Sequence, residues 1–328
     1  MINMDQLFSD IKNLEVIIVG DMMLDTYWWG NVERISPEAP VPVLSRTHTE
    51  YRIGGAGNVA LNTVALGATT LLFSVIGNDD AGNLLLKKLE KANIHTTNIL
   101  RSNERPTTNK IRIMGRNQQM MRIDDEVTED ISEGIEKNLL ENFKTCVSEK
   151  NISVVIFEDY NKGVLTKNVI REMQAVCVEK NILTTVDPKH NNFFEYKNSG
   201  IFKPNLKEVR EALHLSVDKL NEEVLQQIHN TLRKTLSHQI SLITLSEKGI
   251  FAQNNLQHEI IPSHNRDIAD VSGAGDTVIA VVSLVYAVSK NMILAAKIAN
   301  IAGGLVCEEV GTVPVNNKRL QDECLKLL

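Results

Sequence analysis

Short apolar runs alternate with longer amphipathic stretches along most of the chain. The runs are nearly continuous, rich in β-branched residues, and cover positions 16–19, 71–76, 154–157, 183–186 and 242–245. Runs of this kind predict strands that are buried on both faces, as in a parallel sheet. The amphipathic stretches predict helices over 58–66, 81–91, 130–149, 166–180 and 218–236, and the chain beyond Asp276 is predicted to be mainly helical. This alternation predicts an α/β fold: a doubly wound, mostly parallel sheet with helices on both faces and right-handed crossovers.

Two stretches, at about 27–52 and 107–124, break this alternation. Within the second, residues 110–114 and 120–123 flank a polar turn at 115–117, which predicts a hairpin. Both stretches alternate apolar and polar positions, so each predicts strands with one solvent-facing side. We therefore expect a small β-sheet, built from two insertions, that forms a lid over the carboxyl ends of the main strands, where ligands bind in such folds. No linker separates these parts, so we expect a single domain over residues 1–328.

Charge and composition exclude several classes of function. The 35 basic and 41 acidic residues give a net charge of −6, which argues against a nucleic-acid or membrane-surface binder. The cysteines at 146, 177, 307 and 324 form no CxxC pair, so we expect reduced, buried thiols. The sequence shows neither a signal-peptide pattern nor an apolar run of bilayer length. We therefore expect a cytoplasmic protein with small-molecule partners, no nucleic acid and no membrane.

One glycine-rich motif places a carboxylate at the start of a predicted helix. It runs Asp-Val-Ser-Gly-Ala-Gly-Asp-Thr over positions 270–277 and precedes an apolar run. Gly273 and Gly275 let the backbone approach a ligand closely, and the helix start presents free N–H groups and a positive dipole end. These features suit a phosphoryl group in transfer, and Asp276 beside it suits a base for an attacking hydroxyl. The alternative is a glycine turn in which Asp276 only caps the helix.

A second glycine motif runs Gly-Gly-Ala-Gly-Asn-Val-Ala-Leu-Asn over positions 54–62. It also matches the spacing of a dinucleotide fingerprint. The context is wrong for that interpretation, because residues 47–52 are polar and the first predicted strand-to-helix turn, at Gly20 and Asp21, carries no such motif. We expect instead a glycine-rich helix start, with the amide of Asn58 directed at ligand hydroxyls. A Walker A phosphate loop is also absent from the sequence.

Further strings accompany the two glycine motifs along the chain. They lie at positions 20–25, 27–28, 34–43, 116–119, 122–124, 159–160, 162–163, 187–189 and 270–279. In their order and separation, these motifs and strings resemble those of the ribokinase-like (PfkB-type) carbohydrate kinases over essentially the whole chain. Ser-Pro-Glu-Ala-Pro at 36–40 and Arg-Asn-Gln-Gln at 116–119 resemble, within that family, the kinases of heptose 7-phosphate.

The resemblance implies the ribokinase-like fold and an activity. The expected reaction transfers a phosphoryl group from ATP, with Mg²⁺, to O1 of D-glycero-β-D-manno-heptose 7-phosphate. The product, the 1,7-bisphosphate, would enter ADP-heptose and lipopolysaccharide core synthesis. Relatives of this type continue into a nucleotidylyltransferase domain, and we expect none here because the sequence stops at Leu328.

The resemblance also implies roles for the matching residues. The catalytic centre would consist of Asp276 as base and an anion hole formed by Gly273, Ala274 and Gly275. The sugar hydroxyls would be held by Asp21, Asp25, Gly54, Gly55 and Asn58. The nucleotide would be contacted by Asn205, Glu208, Thr244, Ser246, Gly249 and Asn300. Glu208 would also act indirectly on the magnesium ion.

Other charged residues are substrate candidates by residue type and position. A bidentate contact with the substrate phosphate is expected from one of three arginines, namely Arg122, Arg34 and Arg116. The alternative for each is a solvated side chain or an ion pair with a nearby carboxylate such as Asp124. Three more candidates follow predicted strands, where substrates bind, namely Asp159, Lys162 and Lys189. For Asn205 and Glu208, the alternative is a capping box at the start of a helix.

One departure keeps other functions open. Thr26 stands where the heptose kinases usually carry arginine, which would remove a cationic contact near the sugar. The alternatives are a kinase of another sugar or sugar phosphate, and a catalytically silent binding protein of the same fold. The exposed lid sheet favours pairing of two copies, so we also expect a homodimer through this sheet.

Overall fold

The computed structural model describes residues 3–116, 118–215 and 221–328. Within them the strands are β1 (Glu15–Gly20), β2 (Met22–Ile35), β3 (Pro42–Gly55), β4 (Thr69–Gly77), β5 (Ile99–Ser102), β6 (Asn109–Gly115), β7 (Gln118–Asp125), β8 (Ile152–Glu158), β9 (Leu183–Asp187), β10 (Ile201–Phe202), β11 (Ile240–Thr244), β12 (Ile250–Gln253) and β13 (His258–Ile261). The helices of the same residues are α1 (Met4–Ile11), α2 (Ala56–Ala65), α3 (Asp80–Lys91), α4 (Glu133–Glu149), α5 (Lys167–Glu179), α6 (Leu206–Ala212), α7 (Glu222–Leu236), α8 (Ala274–Ser289), α9 (Met292–Val306) and α10 (Asn317–Leu327).

The larger sheet of these residues has nine strands in the order β13-β12-β11-β10-β9-β8-β1-β4-β5. Neighbouring strands from β5 to β11 are parallel, and β12 and β13 extend the sheet as antiparallel strands. The five predicted apolar runs fall in β1, β4, β8, β9 and β11 to within one residue. The predicted mostly parallel sheet is therefore confirmed.

Helices cover both faces of this sheet, as predicted. In β1, Val16 and Ile18 join one core and Ile17 and Val19 join the other, because successive side chains of a strand point to opposite faces. The first core is covered by α1, α2, α3, α8, α9 and α10, and the second by α4, α5, α6 and α7. Burial on both faces explains why the parallel strands are continuous apolar runs.

A separate sheet has the strand order β3-β2-β6-β7, and we call it the small sheet. β2 pairs with β3 in antiparallel and with β6 in parallel orientation. β6 and β7 form the antiparallel hairpin that the sequence predicts, although residue 117 of its turn lies outside the described residues.

The predicted strand-to-helix turn at Gly20 and Asp21 is wrong. β1 ends at Gly20, and β2 begins at Met22 without an intervening helix. The residues from Met22 to Tyr27 are all buried. They pair in register with β3, beginning with Met22 opposite Gly55, so this stretch is a strand and not a helix. The small sheet consequently begins directly at the carboxyl end of a central strand, and β3 returns to the same place at Gly55.

The remaining predicted helices differ from the structure mainly at their ends. α2 begins at Ala56, two residues before the predicted start, and α4 begins at Glu133 rather than at 130. Of the helix predicted over 218–236, residues 218–220 lie outside the described residues, and α7 covers the rest from Glu222. All four cysteines are buried and unpaired, as expected. No helix in the described ranges combines the length and hydrophobicity that crossing a bilayer requires.

Candidate active site

The first turn of α8 has the features of an anion site. Gly273 is the N-cap residue with a left-handed φ of 79°, and a Cβ at this position would lie 2.7 Å from Asn58 Nδ2. A residue other than glycine would therefore be strained and crowded here. In the described part of the chain, no acceptor receives the N–H groups of Gly275 and Asp276. These free N–H groups at the positive end of the helix dipole fit a phosphate group.

Asp276 is the third residue of α8, and its carboxylate is held by two other elements. Oδ1 accepts a hydrogen bond from the Tyr160 hydroxyl at 2.7 Å, and Oδ2 accepts one from Asn58 Nδ2 at 2.7 Å. Burial raises the pKa of Asp276 to about 6, although both hydrogen bonds lower it. A carboxyl group with this pKa is mostly ionised at neutral pH and can accept a proton. The alternative of a simple helix cap is wrong, because Gly273 occupies the cap position.

The predicted sugar ligands meet where β2 and β3 reach the larger sheet. Gly54 and Gly55 are the last residues of β3, and α2, which carries Asn58, begins at the next residue. A Cβ on Gly54 would lie 2.5 Å from Asp25 Oδ2, so the bare backbone leaves room beside this carboxylate. Because Asn58 also contacts Asp276, this group of residues is continuous with the anion site.

Asp21 is buried, and both of its carboxylate oxygens are already occupied. Oδ2 accepts hydrogen bonds from the backbone N–H of Tyr160 at 2.8 Å and of Lys162 at 3.1 Å. Oδ1 accepts one from the backbone N–H of Val164 at 3.0 Å. Asp21 therefore anchors the loop that follows β8, and a contact with the sugar stays a prediction.

Two arginines of the small sheet surround one tyrosine near Asp25. Arg112 of β6 forms an ion pair with Asp25 at 2.5 Å, and Arg52 of β3 donates a hydrogen bond to the carbonyl of Val310. Their guanidinium carbons lie 5.2 and 5.1 Å from the ring centroid of Tyr27. The hydroxyl of Tyr27 is buried and has no partner among the described residues. This cluster, Tyr27–Arg52–Arg112, presents several donors close to the predicted sugar ligands.

The arginines that the sequence singled out are placed differently. Arg122 forms a bidentate pair with Asp124 at 2.8 and 3.0 Å and is half exposed. It lies opposite Arg112 in the β6–β7 register and so shares its face of the small sheet. Arg116 donates a hydrogen bond to the carbonyl of Val32 at 2.9 Å. The ion-pair alternative is therefore the observed state of Arg122, and a phosphate contact stays a prediction.

The two candidate lysines follow parallel strands and are paired with glutamates. Lys162 Nζ lies 2.5 Å from Glu126 Oε1. Lys189 Nζ lies 2.6 Å from Glu208 Oε1 and 5.2 Å from the ring centroid of Tyr160. Lys189 therefore contacts the same tyrosine that holds Asp276, whereas Lys162 lies nearer the small sheet.

Asp159 is bonded within its own loop and to the second core. Oδ1 accepts a hydrogen bond from the backbone N–H of Asn161 at 2.8 Å, and Oδ2 accepts one from the Tyr196 hydroxyl at 2.7 Å. Burial, followed by the charge of Asp21, raises the pKa of Asp159 to about 7. Its contact with a substrate stays a prediction.

A buried charged layer lies beneath the glycine loop. Lys203 Nζ and Asp187 Oδ2 form an ion pair at 2.8 Å, and both side chains are almost fully buried. A Cβ on Gly275 would lie 3.8 Å from either atom. Glu158 is the register neighbour of Asp187 and is fully buried, with no partner for either carboxylate oxygen among the described residues.

Three of the predicted nucleotide ligands lie together at the carboxyl ends of β10 and β11. Asn205 forms an isolated β-bridge with Thr244 and is the N-cap residue of α6. It forms a reciprocal capping box with Glu208, at 2.9 and 2.8 Å, so this alternative is confirmed. Because one Glu208 oxygen accepts from Asn205 and the other faces Lys189, Glu208 fits an indirect contact with a metal ion better than direct ligation.

The other nucleotide candidates lie farther along the chain. Ser246 and Gly249 are in the turn between β11 and β12 and have left-handed φ values of 56° and 95°. Asn300 lies in α9, and its Nδ2 donates a hydrogen bond to the carbonyl of Pro262 at 2.7 Å. Asn300 thereby joins α9 to the segment that follows β13.

Several residues of the site were not identified from the sequence. Tyr160 follows a predicted strand by three positions, which is a usable signal, but aromatic residues are more often core residues. Arg52 and Arg112 share the face of Asp25 only through the pairing register of three strands. Lys203 follows β10, which has two residues and therefore no detectable pattern.

Comparisons with known proteins give the family of the chain. A sequence model of the pfkB family carbohydrate kinases matches residues 13–319. The "Bifunctional protein HldE" of Geobacter metallireducens is 37% identical, over 96% of this chain and 64% of the relative. That of Campylobacter curvus is 38% identical, over 95% and 65%. The chain therefore belongs to the pfkB family and is a sugar kinase, and it spans about 64% of the length of these relatives.

Solved structures give the fold. Phosphofructokinase-2 from Escherichia coli, in complex with potassium, has a TM-score of 0.78 at 15% identity, over 94% of this chain and 97% of that chain. Ribokinase from Arabidopsis thaliana, complexed with ribose and ATP, has a TM-score of 0.73 at 16% identity, over 94% and 98%. The fold is thus the ribokinase-like α/β fold that the sequence resemblance implies.

Proposed function

We propose that this kinase transfers the γ-phosphoryl group of ATP to O1 of D-glycero-β-D-manno-heptose 7-phosphate and forms the 1,7-bisphosphate. The observation that carries the proposal is the position of Asp276, a buried carboxylate beside the free N–H groups of α8. A base and an anion site within one helical turn suit phosphoryl transfer to a hydroxyl. The product would enter ADP-heptose and lipopolysaccharide core synthesis in the cytoplasm.

The arrangement of the first turn of α8 suits this reaction. Asp276 accepts the proton of the O1 hydroxyl as the O1–phosphorus bond forms. The bond between the γ-phosphorus and the β,γ-bridging oxygen breaks, and ADP leaves with the electron pair. The N–H groups of Gly275 and Asp276 face the negative charge on the transferring group, and Lys203 lies beneath them. Such fixed donors supply much of the catalytic effect in phosphoryl transfer.

The substrate phosphate at C7 fits the Tyr27–Arg52–Arg112 cluster. The unpartnered Tyr27 hydroxyl and the two guanidinium groups are donors of the kind that bind phosphate in bidentate geometry. Asp25, which pairs with Arg112, would then contact a sugar hydroxyl between the phosphate and O1. Thr26 does not weaken this assignment, because alternation along β2 directs it to the opposite face, where its hydroxyl donates to Asn109 Oδ1 at 2.7 Å.

ATP would occupy the carboxyl ends of β10 and β11, beside Asn205 and Thr244, with its terminal phosphate at α8. The turn holding Ser246 and Gly249, and Asn300 of α9, would contact the rest of the nucleotide. Glu208 would hold Mg²⁺ indirectly, since both of its oxygens are bonded to the protein. When bound, Mg²⁺ neutralises phosphate charge.

The heptose is favoured over other sugars by two observations. The strings at 36–40 and 116–119, of which residue 117 lies outside the described residues, resemble the heptose 7-phosphate kinases. The relatives named HldE match the chain over nearly its whole length. The competing proposals are a kinase of another sugar phosphate and a catalytically silent protein.

Mass spectrometry of the product formed from the heptose 7-phosphate and Mg·ATP tests the proposal. We expect a heptose 1,7-bisphosphate and one ADP for each product molecule. The Asp276→Asn variant, which keeps the shape of the side chain, should lose at least about 100-fold in kcat because the base is gone. Asp270→Asn is not a suitable control, since Asp270 bonds to Ser272 of the same loop.

Exposed Asp322→Asn on α10 provides the matched control, because it makes the same chemical change on a different helix, where Asp322 pairs with Lys318. A preference for another sugar phosphate would replace the heptose assignment. Absence of ADP release with every sugar phosphate tested would favour the silent protein. Near-normal turnover by Asp276→Asn would contradict the assignment of the base.

A further inference from the structure

The loop that follows β8 connects two carboxylates of the site. Asp21 accepts three backbone hydrogen bonds from this loop, from Tyr160, Lys162 and Val164, and thereby fixes its path. The Tyr160 side chain then leaves the loop toward α8 and donates its hydroxyl hydrogen to Asp276 Oδ1 at 2.7 Å. The separation of 116 positions between these partners means that the loop, not local sequence, brings them together.

The surroundings of Tyr160 make its hydroxyl a hydrogen-bond donor to Asp276. Its ring lies against the Lys189 ammonium, 5.2 Å from the centroid. Burial, together with the charge of Asp276, raises the pKa of Tyr160 well above its usual value. The hydroxyl therefore stays protonated at neutral pH and donates to the carboxylate.

Asp276 is faced by charged and polar groups from every element packed against it. Tyr160 and Asn58 donate to its two oxygens. The carboxylate of Asp187 on β9 and the ammonium of Lys203 after β10 act on it through space, with opposite effects on its pKa. The buried carboxyl of Glu158 on β8 also lies close enough to interact with it electrostatically. Among these groups, Tyr160 and Asn58 are the ones that fix the orientation of the carboxylate.

We propose that Tyr160 is a positioning residue for the base Asp276: its hydroxyl orients the carboxylate and keeps it ionised, and Asp21 anchors the loop that places Tyr160 there. This inference rests on the proposed function for its importance in catalysis. Its physical content concerns the substrate-free protein and can be measured without the sugar. It also gives Asp21 a function, because loss of the anchor would release Tyr160.

The hydrogen bond has a defined effect on the proton of the reaction. An ionised carboxylate accepts the Tyr160 hydrogen bond strongly, and a protonated one accepts it weakly. The bond therefore favours release of the proton that Asp276 takes from the sugar hydroxyl, and this proton passes to solvent after turnover. Oδ1 and Oδ2 each hold one protein donor and keep a further lone pair for the substrate hydroxyl.

The test is a titration of Asp276 in the Tyr160→Phe variant, which removes the hydroxyl and keeps the ring. Carbon-13 NMR of aspartate carboxyl groups follows the titration, and the Asp276 signal is assigned by its absence in Asp276→Asn. A lost hydrogen bond to a charged group should raise the pKa of Asp276 by about one unit or more. The matched control is Tyr196→Phe, which removes a buried hydroxyl bonded to Asp159 Oδ2 at the same 2.7 Å and leaves Asp276 untouched.

Kinetics supply a second readout. The ratio of kcat/KM between wild type and Tyr160→Phe cancels the titration of the substrates, which is common to both. An increase of one unit in the pKa predicts a ratio of about 5 near pH 6, which falls to about 1 near pH 9. A purely structural role would give the same ratio at every pH.

The proposal is overturned if the Asp276 signal titrates in Tyr160→Phe as it does in wild type, or if Tyr196→Phe shifts it equally. It is also overturned if the kcat/KM ratio does not change with pH although Asp276→Asn abolishes turnover. Failure of the proposed function looks different. In that case the NMR shift would be present, and Asp276→Asn would retain turnover.

Discussion

Glu158 shows how burial sets the charge of a single side chain near the site. It ends β8 with both carboxylate oxygens buried and without a partner in the described ranges. Burial, and after it the charges of Asp187 and Asp276, raise the pKa of Glu158 well above 4.5. Its neighbour Asp187 has one oxygen that lacks a hydrogen-bond partner. A protonated Glu158 therefore keeps the layer beneath the glycine loop free of a further negative charge.

The raised pKa predicts that Glu158 costs stability as the pH rises. Above about pH 4.5 the unfolded chain loses this proton while the folded protein keeps it, so the folded state loses stability until its own carboxyl ionises. Glu158→Gln cannot titrate. We expect its free energy of unfolding to rise relative to wild type by up to about 1.4 kcal/mol per pH unit. Urea unfolding at about pH 5 and about pH 8 measures this difference.

Exposed Glu149→Gln on α4 is the control, because its carboxylate is solvated in both states. If the stability difference between Glu158→Gln and wild type were the same at both pH values, Glu158 would be ionised in the folded protein. That result would place a negative charge under the anion site.

At the residue scale, the sequence predicts the chemistry of the glycine loop and misses its partners. Asp276 and its glycines are adjacent in the chain, so a local motif reveals them. Asn58 and Tyr160 lie 218 and 116 positions away, and their bonds to Asp276 exist only after the sheet has formed. Asp25 and Arg112 are likewise joined across 87 positions.

At the element scale, predictability follows the strength of the apolar pattern. The parallel strands are buried on both faces, and their continuous runs predict them closely. β10, with two residues, and β12 and β13, with four each, are too short to give a pattern. The small sheet was predicted from alternating apolar and polar positions. The start of β2 does not show that alternating pattern of burial, because its first six residues are all buried.

The pairing register of the small sheet makes a prediction about β6. Arg112 lies opposite Tyr27 in β2, where the proposed phosphate site begins. Arg112→Lys keeps the positive charge beside Asp25 and loses the bidentate guanidinium. We expect the KM for the sugar phosphate to rise about 10-fold with little change in the KM for ATP, because one charged hydrogen bond is lost. Steady-state kinetics with each substrate varied measures both constants.

The control for this variant is Arg101→Lys, at an exposed position of β5 outside the small sheet. An equal rise in both KM values for Arg112→Lys would indicate a general disturbance of the site. An unchanged KM for the sugar phosphate would remove Arg112 from the phosphate site.

At the scale of the whole molecule, the small sheet has a second face that points away from the site. The register and alternation of its strands place Trp28, Tyr51, Ile111, Ile113, Met121 and Ile123 on this face. Tyr51, Met121 and Ile123 are 37%, 59% and 41% exposed. We propose that this face pairs with the same face of a second copy, because a contiguous exposed apolar patch commonly marks an interaction site.

The pairing predicts that charge on this face separates the copies. Met121→Glu together with Ile123→Glu would place four buried carboxylates across a two-fold interface, two from each copy, and their repulsion and desolvation would oppose association. Sedimentation velocity at micromolar concentration should show a dimer for wild type and a monomer for this variant. Leu256→Glu, in the turn between β12 and β13 and 92% exposed, changes an apolar residue outside the small sheet and should remain dimeric. A monomeric wild type, or a variant that stays dimeric, would contradict the interface.

Because the opposite face of the same strands carries Arg52 and Arg112, a monomeric variant with a raised KM for the sugar phosphate would connect assembly to substrate binding.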